Sequence, residues 1–205
     1  MKMKTRNKIL LLALCMVALI AVSVLGTMAY LTSTDTVTNT FTVGKVAITL
    51  DEAKVSADGA LVEGADRVKT NEYHLIPGHL YIKDPTVHVN ANSEDSWIFI
   101  QVTNGIASYE AATVEDGYTA IADQITKNGW IELESQNGVY YKKYIKSDRS
   151  TNLTVFSEFK ISDTANNVTG WAGIDASTTK IVVNAYAIQA DGFTTADAAW
   201  AAKFN

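Results

Sequence analysis

Three histidines are the side chains in this sequence best suited by type to bind a metal ion. His74, His79 and His88 lie within a stretch of fifteen residues and are spaced by five and nine positions. Those spacings match neither one face of a helix nor a compact ligand pair, and no nearby carboxylate stands in a recognised ligand pattern. We therefore predict solvated histidines on strands or loops and no bound metal.

Adjacent carboxylates are the second group that could do chemistry. The pairs are Asp51-Glu52, Glu94-Asp95, Glu115-Asp116 and Glu132 with Glu134. No stretch supplies the alternating oxygens and glycine turn of a calcium loop, and a catalytic pair depends on a separation in space that the sequence does not give. We expect these acids to keep strand ends soluble.

Motifs for catalysis are missing from the sequence. It has no Gly-x-Ser-x-Gly elbow, His-Glu-x-x-His helix, phosphate loop or dinucleotide fingerprint. The single cysteine, Cys15, lies in an apolar N-terminal run, so a chain without that run has no thiol nucleophile, thiolate metal site or disulfide. The sequence predicts no catalytic residue, no cofactor and no enzyme activity.

Tryptophans could form a flat platform on which a sugar ring stacks. They are Trp97, Trp130, Trp171 and Trp200. Aromatic side chains also dominate the interiors of β-sandwiches, and we favour that role for these four.

The N-terminus has the three parts of an export signal. Four basic residues stand before the apolar run 9–25, which ends in the small residues of Gly26-Thr27-Met28-Ala29. Thr27 and Ala29 fit the small positions before a cleavage site, so we predict a signal helix over 1–29 that is cut before Tyr30. A run of 17 residues is longer than a usual signal core of ~7–15, which leaves an uncleaved anchor as the alternative. In either case the four cations place the rest of the chain outside the cell, and cleavage makes membrane contact transient.

Net charge argues against nucleic acid as a partner. Removing residues 1–29 leaves 13 basic and 22 acidic residues, a net charge of -9. Nucleic-acid binding needs a basic patch that displaces counterions, and the remaining chain has no cluster of Lys or Arg.

A threonine occupies every even position from 32 to 42. Side chains alternate between the two sides of a strand, so Leu31, Val37, Phe41 and Val43 share the other face. Such a strand at a free chain end needs a partner to be ordered. We interpret residues 30–43 as an N-terminal donor strand with these four side chains as its anchors.

Residues 44–205 are predicted to form a single domain. Runs rich in aromatic and β-branched residues predict strands over 45–50, 79–83, 86–90, 97–103, 130–134, 139–145, 153–161 and 180–189. Asn-Gly and Asp-Gly pairs mark tight turns between several of them, and helices are predicted over 118–127 and 195–203. Many strands without regular strand–helix alternation predict an all-β fold, an antiparallel β-sandwich with a few short helices.

The stretch 26–46, GTMAYLTSTDTVTNTFTVGKV, resembles the start of the TasA/camelysin family of exported proteins from Gram-positive bacteria. In that family an apolar signal ends in Gly-Thr-x-Ala, followed by an aromatic residue, a Thr/Ser/Asp run, Asn-Thr-Phe and a glycine step into the first strand. The likeness continues through YHLIPGH at 73–79 and the core strand at 97–103, and it covers roughly residues 8–103.

The resemblance implies a jelly-roll-like sandwich, processing by a SipW-type signal peptidase and a role in extracellular fibres. The leading hypothesis is a secreted structural subunit of the biofilm matrix or cell surface that gives its N-terminal strand to an identical or related subunit. A camelysin-like secreted metallopeptidase is one alternative, which only the three histidines support. A surface adhesion or glycan-binding module is the other, for which the tryptophans speak. Pairing of the N-terminal strand within its own chain stays open.

Overall fold

The computed structural model of this protein describes residues 32–35, 46–112, 117–149, 151–169, 171 and 179–202. Its strands are β1 Thr32–Asp35, β2 Ile48–Asp51, β3 Leu80–Ile82, β4 Thr86–Val89, β5 Ser96–Asn104, β6 Ile131–Glu132, β7 Val139–Tyr144, β8 Thr151–Thr154, β9 Glu158–Lys160 and β10 Ile181–Gln189. Two α-helices lie in the described parts, α1 Ile121–Lys127 and α2 Ala196–Ala202, with 3-10 turns at Lys146–Asp148 and Ala165–Asn167. No helix in these ranges has both the length and the apolar content needed to span a bilayer.

The strands form three antiparallel sheets. The largest has the order β1-β10-β5-β7-β6, the second β2-β4-β8, and β3 pairs with β9. Every strand pairing is antiparallel. The predicted all-β, antiparallel fold is confirmed.

One core joins the two larger sheets. Val87 and Val89 of β4 belong to the same buried cluster as Ile98 and Ile100 of β5. These residues alternate along each strand with side chains on the opposite face, as strand geometry requires. The two sheets therefore pack face to face.

The other face of the five-stranded sheet is covered by α2. Trp97 and Phe99 of β5 cluster with Ala199 and Trp200 of this helix. Because β5 has neighbours on both faces, residues 96–100 are all buried. The helix thus explains why this strand reads as a continuous apolar run.

One predicted strand, over 153–161, is wrong. The chain forms two strands there, β8 and β9, which belong to different sheets. Val155 and Phe156 between them are both fully buried, which breaks the alternation, and the Val155 N–H donates to the carbonyl of Pro85 at 2.8 Å. The other predicted strands are found with ends that differ by at most three residues, and α1 begins three residues later than predicted. The predicted signal helix over 1–29 lies outside the described residues.

Candidate assembly edge and the predicted site residues

The five-stranded sheet has β1 at one edge. This strand pairs only with β10 in the described chain, from Thr32 opposite Ile188 to Asp35 opposite Ala185. The partner comes from the same chain, which is the self-paired alternative for this segment. The strand is short and close to the N-terminus, and one side of its backbone has no described strand beside it.

The strand beside β1 carries small residues where the two strands pair. Ala185 and Ala187 of β10 are buried and belong to the core between the sheets. The strand β2 of the opposing sheet packs against both β10 and β1. We call this position, bounded by β10 and β2, the β1 slot. The small alanines of β10 lie beside β1 in the same sheet, opposite Asp35 and Ser33.

Most of the predicted processing and anchor residues lie outside the described residues. These are Thr27, Ala29 and Tyr30 of the cleavage site and Leu31, Val37, Phe41 and Val43 of the donor strand. Of the predicted strand 30–43, the structure describes Thr32–Asp35, which is a strand. The roles of the seven residues stay predictions.

The three histidines make separate contacts. His79 donates from Nε2 to the carbonyl of Asp58 at 2.9 Å and packs edge-on against Tyr81. His88 lies on the three-stranded sheet between Asp51 and Asn152, whereas His74 is exposed. Within the described ranges, no group of three or more His, Cys, Asp or Glu side chains is placed to hold a metal ion.

The tryptophans are mainly core residues. Trp130 is fully buried, and its indole N–H donates to the carbonyl of Thr154 at 2.9 Å. Trp97 is buried under α2, Trp200 is buried between that helix and the sheet, and the half-buried Trp171 packs edge-on against Tyr109. Three of the four rings are therefore unavailable for stacking on a sugar.

The carboxylate of Asp51 is held by two neighbouring side chains, Arg67 and His88. Arg67 bridges Asp51 and Asp84, and His88 Nε2 lies 2.8 Å from Asp51 Oδ1. Burial alone raises the pKa of Asp51, but the hydrogen bonds from Arg67 and His88 outweigh it and hold this pKa below its ordinary value. Through Arg67, this cluster of side chains connects the outer face of β2 and β4 to the long loop before β3.

Two carboxylates, the half-buried Glu110 and the buried Glu52, make contacts that the sequence patterns did not predict. Glu110 accepts hydrogen bonds at 2.7 Å from Asn104, Tyr118 and the backbone N–H of Ile121, where α1 begins. Burial, followed by the bond to Glu110, raises the pKa of the Tyr118 hydroxyl. Glu52, the second, is joined to Lys83.

The residues involved are far apart in sequence. Lys83 follows Glu52 by 31 positions, so no local spacing signals their contact. The described chain thus has an edge strand near its N-terminus and several satisfied polar clusters. No match to this chain was found among protein-family models, curated proteins or solved structures.

Proposed function

We propose that this chain is a secreted structural subunit of extracellular matrix or cell-surface fibres, joined by exchange of the N-terminal strand. The observation that carries the proposal is that β1 is an edge strand near the N-terminus, paired along one side with β10. When β1 leaves its own sheet, the edge of β10 presents unpaired N–H and C=O groups, which form a template for a strand from another chain. The same slot can therefore accept β1 of a neighbouring copy or of a related fibre subunit.

Exchange costs little because the contacts are the same in both arrangements. A β1 strand that pairs with β10 of a second chain forms the hydrogen bonds that it forms in its own chain. Assembly is then favoured by a high concentration of subunits and by contacts of residues beyond β1. Export and cleavage before Tyr30 by a SipW-type peptidase would give the N-terminal segment the free end that this exchange needs.

The register of β1 supports the predicted anchors. Residues directly opposite in an antiparallel pair lie on the same face of the sheet. The odd-numbered residues Ser33 and Asp35 stand opposite Ala187 and Ala185 of β10, which belong to the core between the sheets.

The predicted anchors share this parity. They are Leu31, Val37, Phe41 and Val43. Full burial of a side chain such as Phe41 contributes ~1.5–3 kcal/mol, and several together with a main-chain ladder would hold neighbouring subunits. The complete subunit would then be a jelly-roll-like sandwich closed by its neighbour's strand.

The experiment uses the chain that begins at Tyr30 and compares charge at odd and even positions. Val37→Asp with Phe41→Asp should abolish filaments in electron micrographs, because both charges fall at odd positions of the exchanged segment. Thr36→Asp with Thr40→Asp is the control, since it adds the same charge at even positions and should leave filaments in place.

A second variant separates donation from self-pairing. Deleting residues 30–40 should give a subunit with an empty β1 slot, which can accept a strand from the full chain but cannot donate one. Filaments that persist with both odd positions charged, or filaments formed by the deletion variant alone, would contradict strand exchange. The contacts of the histidines and tryptophans give no specific support to a peptidase or a glycan-binding module.

A further inference from the structure

A lysine, a glutamate and an asparagine meet in a mostly buried cluster beside β2 and β3. Lys83 Nζ lies 2.5 Å from Glu52 Oε2, and Asn71 Nδ2 donates to Glu52 Oε1 at 3.0 Å. The side chains of Lys83 and Glu52 are only 11% and 5% exposed. One carboxylate therefore holds an amine and a primary amide side by side.

Backbone contacts fix each member of the cluster. Glu52 exchanges two backbone hydrogen bonds of 2.8 Å with Val68, directly after β2. Lys83 follows β3, and its N–H donates to the carbonyl of Ser157 at 3.0 Å. These bonds hold the amine and the carboxylate in place on separate segments of the chain.

The amide of Asn71 is also held at both ends. Its Oδ1 accepts the Val55 N–H at 3.1 Å, and its Nδ2 donates to the carbonyl of Ala53 at 2.8 Å as well as to Glu52. The Val55 N–H thus points at the oxygen on which negative charge would develop if a nucleophile attacked Cγ. Such a preplaced donor stabilises a tetrahedral intermediate.

Glu52 can move the protons that this attack requires. Transfer of a proton from Lys83 Nζ to Glu52 Oε2, which lie 2.5 Å apart, turns the ion pair into a neutral amine and a neutral acid. A neutral amine is a nucleophile, and the acid faces the amide nitrogen that would leave. The aromatic ring of Tyr73, 5.8 Å from Nζ, forms one wall of the cluster.

We propose that Lys83 and Asn71 are joined by an intramolecular isopeptide bond, formed with Glu52 as the catalytic proton carrier. Lys83 Nζ attacks Asn71 Cγ, and the carbonyl electrons move onto Oδ1 at the Val55 N–H. Glu52 passes protons from Nζ to Nδ2, the bond from Cγ to Nδ2 breaks, and ammonia leaves. The new bond joins Cγ to Nζ, and no oxidation or reduction occurs. The ammonia takes up the extra proton that Lys83 carried at the start. The products are therefore the amide and an ammonium ion, and Glu52 is again a carboxylate.

The bond would close a ring over residues 71–83. This ring includes the turn at Pro77-Gly78 and ties the loop before β3 to the end of β3. A chain without a cysteine after residue 29 cannot use a disulfide for this purpose. The inference is independent of strand exchange, since it concerns a bond within one chain.

Mass spectrometry of the full chain, digested with chymotrypsin, tests the proposal. Loss of ammonia lowers the mass by about 17 Da, and cuts after Tyr73, Leu75 and Leu80 would leave the peptide with Asn71 covalently attached to the peptide with Lys83. Trypsin should also fail to cut after Lys83. Recovery of the two peptides unlinked, at the masses given by the sequence, would overturn the proposal.

Variants assign the bond to these three residues. Lys83→Arg keeps the positive charge but removes the nucleophilic amine, and Glu52→Gln removes the proton carrier, so both should restore the full mass and the tryptic cut at the unmodified position. Lys146→Arg is the matched control, because Lys146 pairs with Glu94 at 2.8 Å in an exposed position and its replacement should keep the linkage at Lys83.

Succinimides at Asn-Gly sites also lose ammonia, so the linkage must be distinguished from them. Asn104, Asn128 and Asn137 precede glycine in this chain. Hydroxylamine cleaves a succinimide and leaves an isopeptide bond intact. A mass deficit that hydroxylamine removes, or one that Lys83→Arg retains, would contradict the assignment.

Discussion

Replacing Trp200 with Ala should loosen the helix that covers the five-stranded sheet. The indole ring lies 5.2 Å from the Phe99 ring of β5 and 5.6 Å from the Tyr186 ring of β10, measured between centroids. Trp200 is the largest side chain that α2 places on the sheet. Its removal would leave the outer face of both central strands poorly covered.

The expected loss follows from burial and from the length of the helix. Truncation of a buried Trp or Phe to Ala costs ~3–5 kcal/mol of unfolding free energy. Trp200 keeps 8% of its surface exposed, and α2 has seven residues, so the helix can shift to fill part of the cavity. We therefore expect a loss of ~3 kcal/mol, at the lower end of that range.

Equilibrium unfolding in urea, followed by far-UV circular dichroism, measures this loss. Ala198→Gln is the control, because Ala198 is exposed on the same helix and Gln is a good helix former, so its effect should stay within ~0.5 kcal/mol. A loss below ~1 kcal/mol for Trp200→Ala would refute the conclusion that α2 contributes substantially to the stability of the sheet.

Two further predictions concern single residues of the fold. Gly59 has φ +78, and an added Cβ would lie 2.8 Å from the Tyr81 Cα, whereas Gly64 has φ +73 and no atom within 4 Å of the added Cβ. Gly59→Ala should therefore cost ~1–3 kcal/mol more unfolding free energy than Gly64→Ala. Equal losses in urea unfolding would show that the contact with Tyr81 has no effect. The pKa of Asp51 is lowered in the folded state, so its stabilising contribution is present above the ordinary value of 3.8 and is lost as the pH falls through the folded value. Asp51→Asn should therefore reduce the acid dependence of the unfolding free energy, and an unchanged dependence would contradict the role of Arg67 at this carboxylate.

Strand alternation made much of the fold predictable. The strands β4, β5 and β10 show clear runs of β-branched and aromatic residues, and the Asn137-Gly138 signal corresponds to the turn before β7, where Gly138 has φ +74. The break between β8 and β9 could not be predicted, because it depends on which sheets bury Val155 and Phe156. Local pattern gives no information about such a change of sheet.

The candidate sites were less predictable than the strands. The threonine alternation identified a strand at Thr32–Asp35, but its partner β10 lies about 150 residues away, and register over such a distance has no sequence signal. The same is true of Glu52, Asn71 and Lys83, which three separate segments bring together. Histidines and tryptophans attracted attention by type, yet their contacts are those of strand, loop and core residues.

A disulfide across the β1 slot tests the central claim most directly. Ser33 and Ala187 are directly opposite, and such pairs have Cα atoms at ~4.5–5.5 Å, which suits a disulfide. The variant Ser33→Cys with Ala187→Cys adds two thiols to a chain that has none after residue 29. Strand exchange predicts that filaments, once oxidised, give a ladder of covalent oligomers on a non-reducing gel, whereas Ser33→Cys with Ile131→Cys at the opposite sheet edge gives none. Filaments that yield only monomers with an internal disulfide would contradict the account.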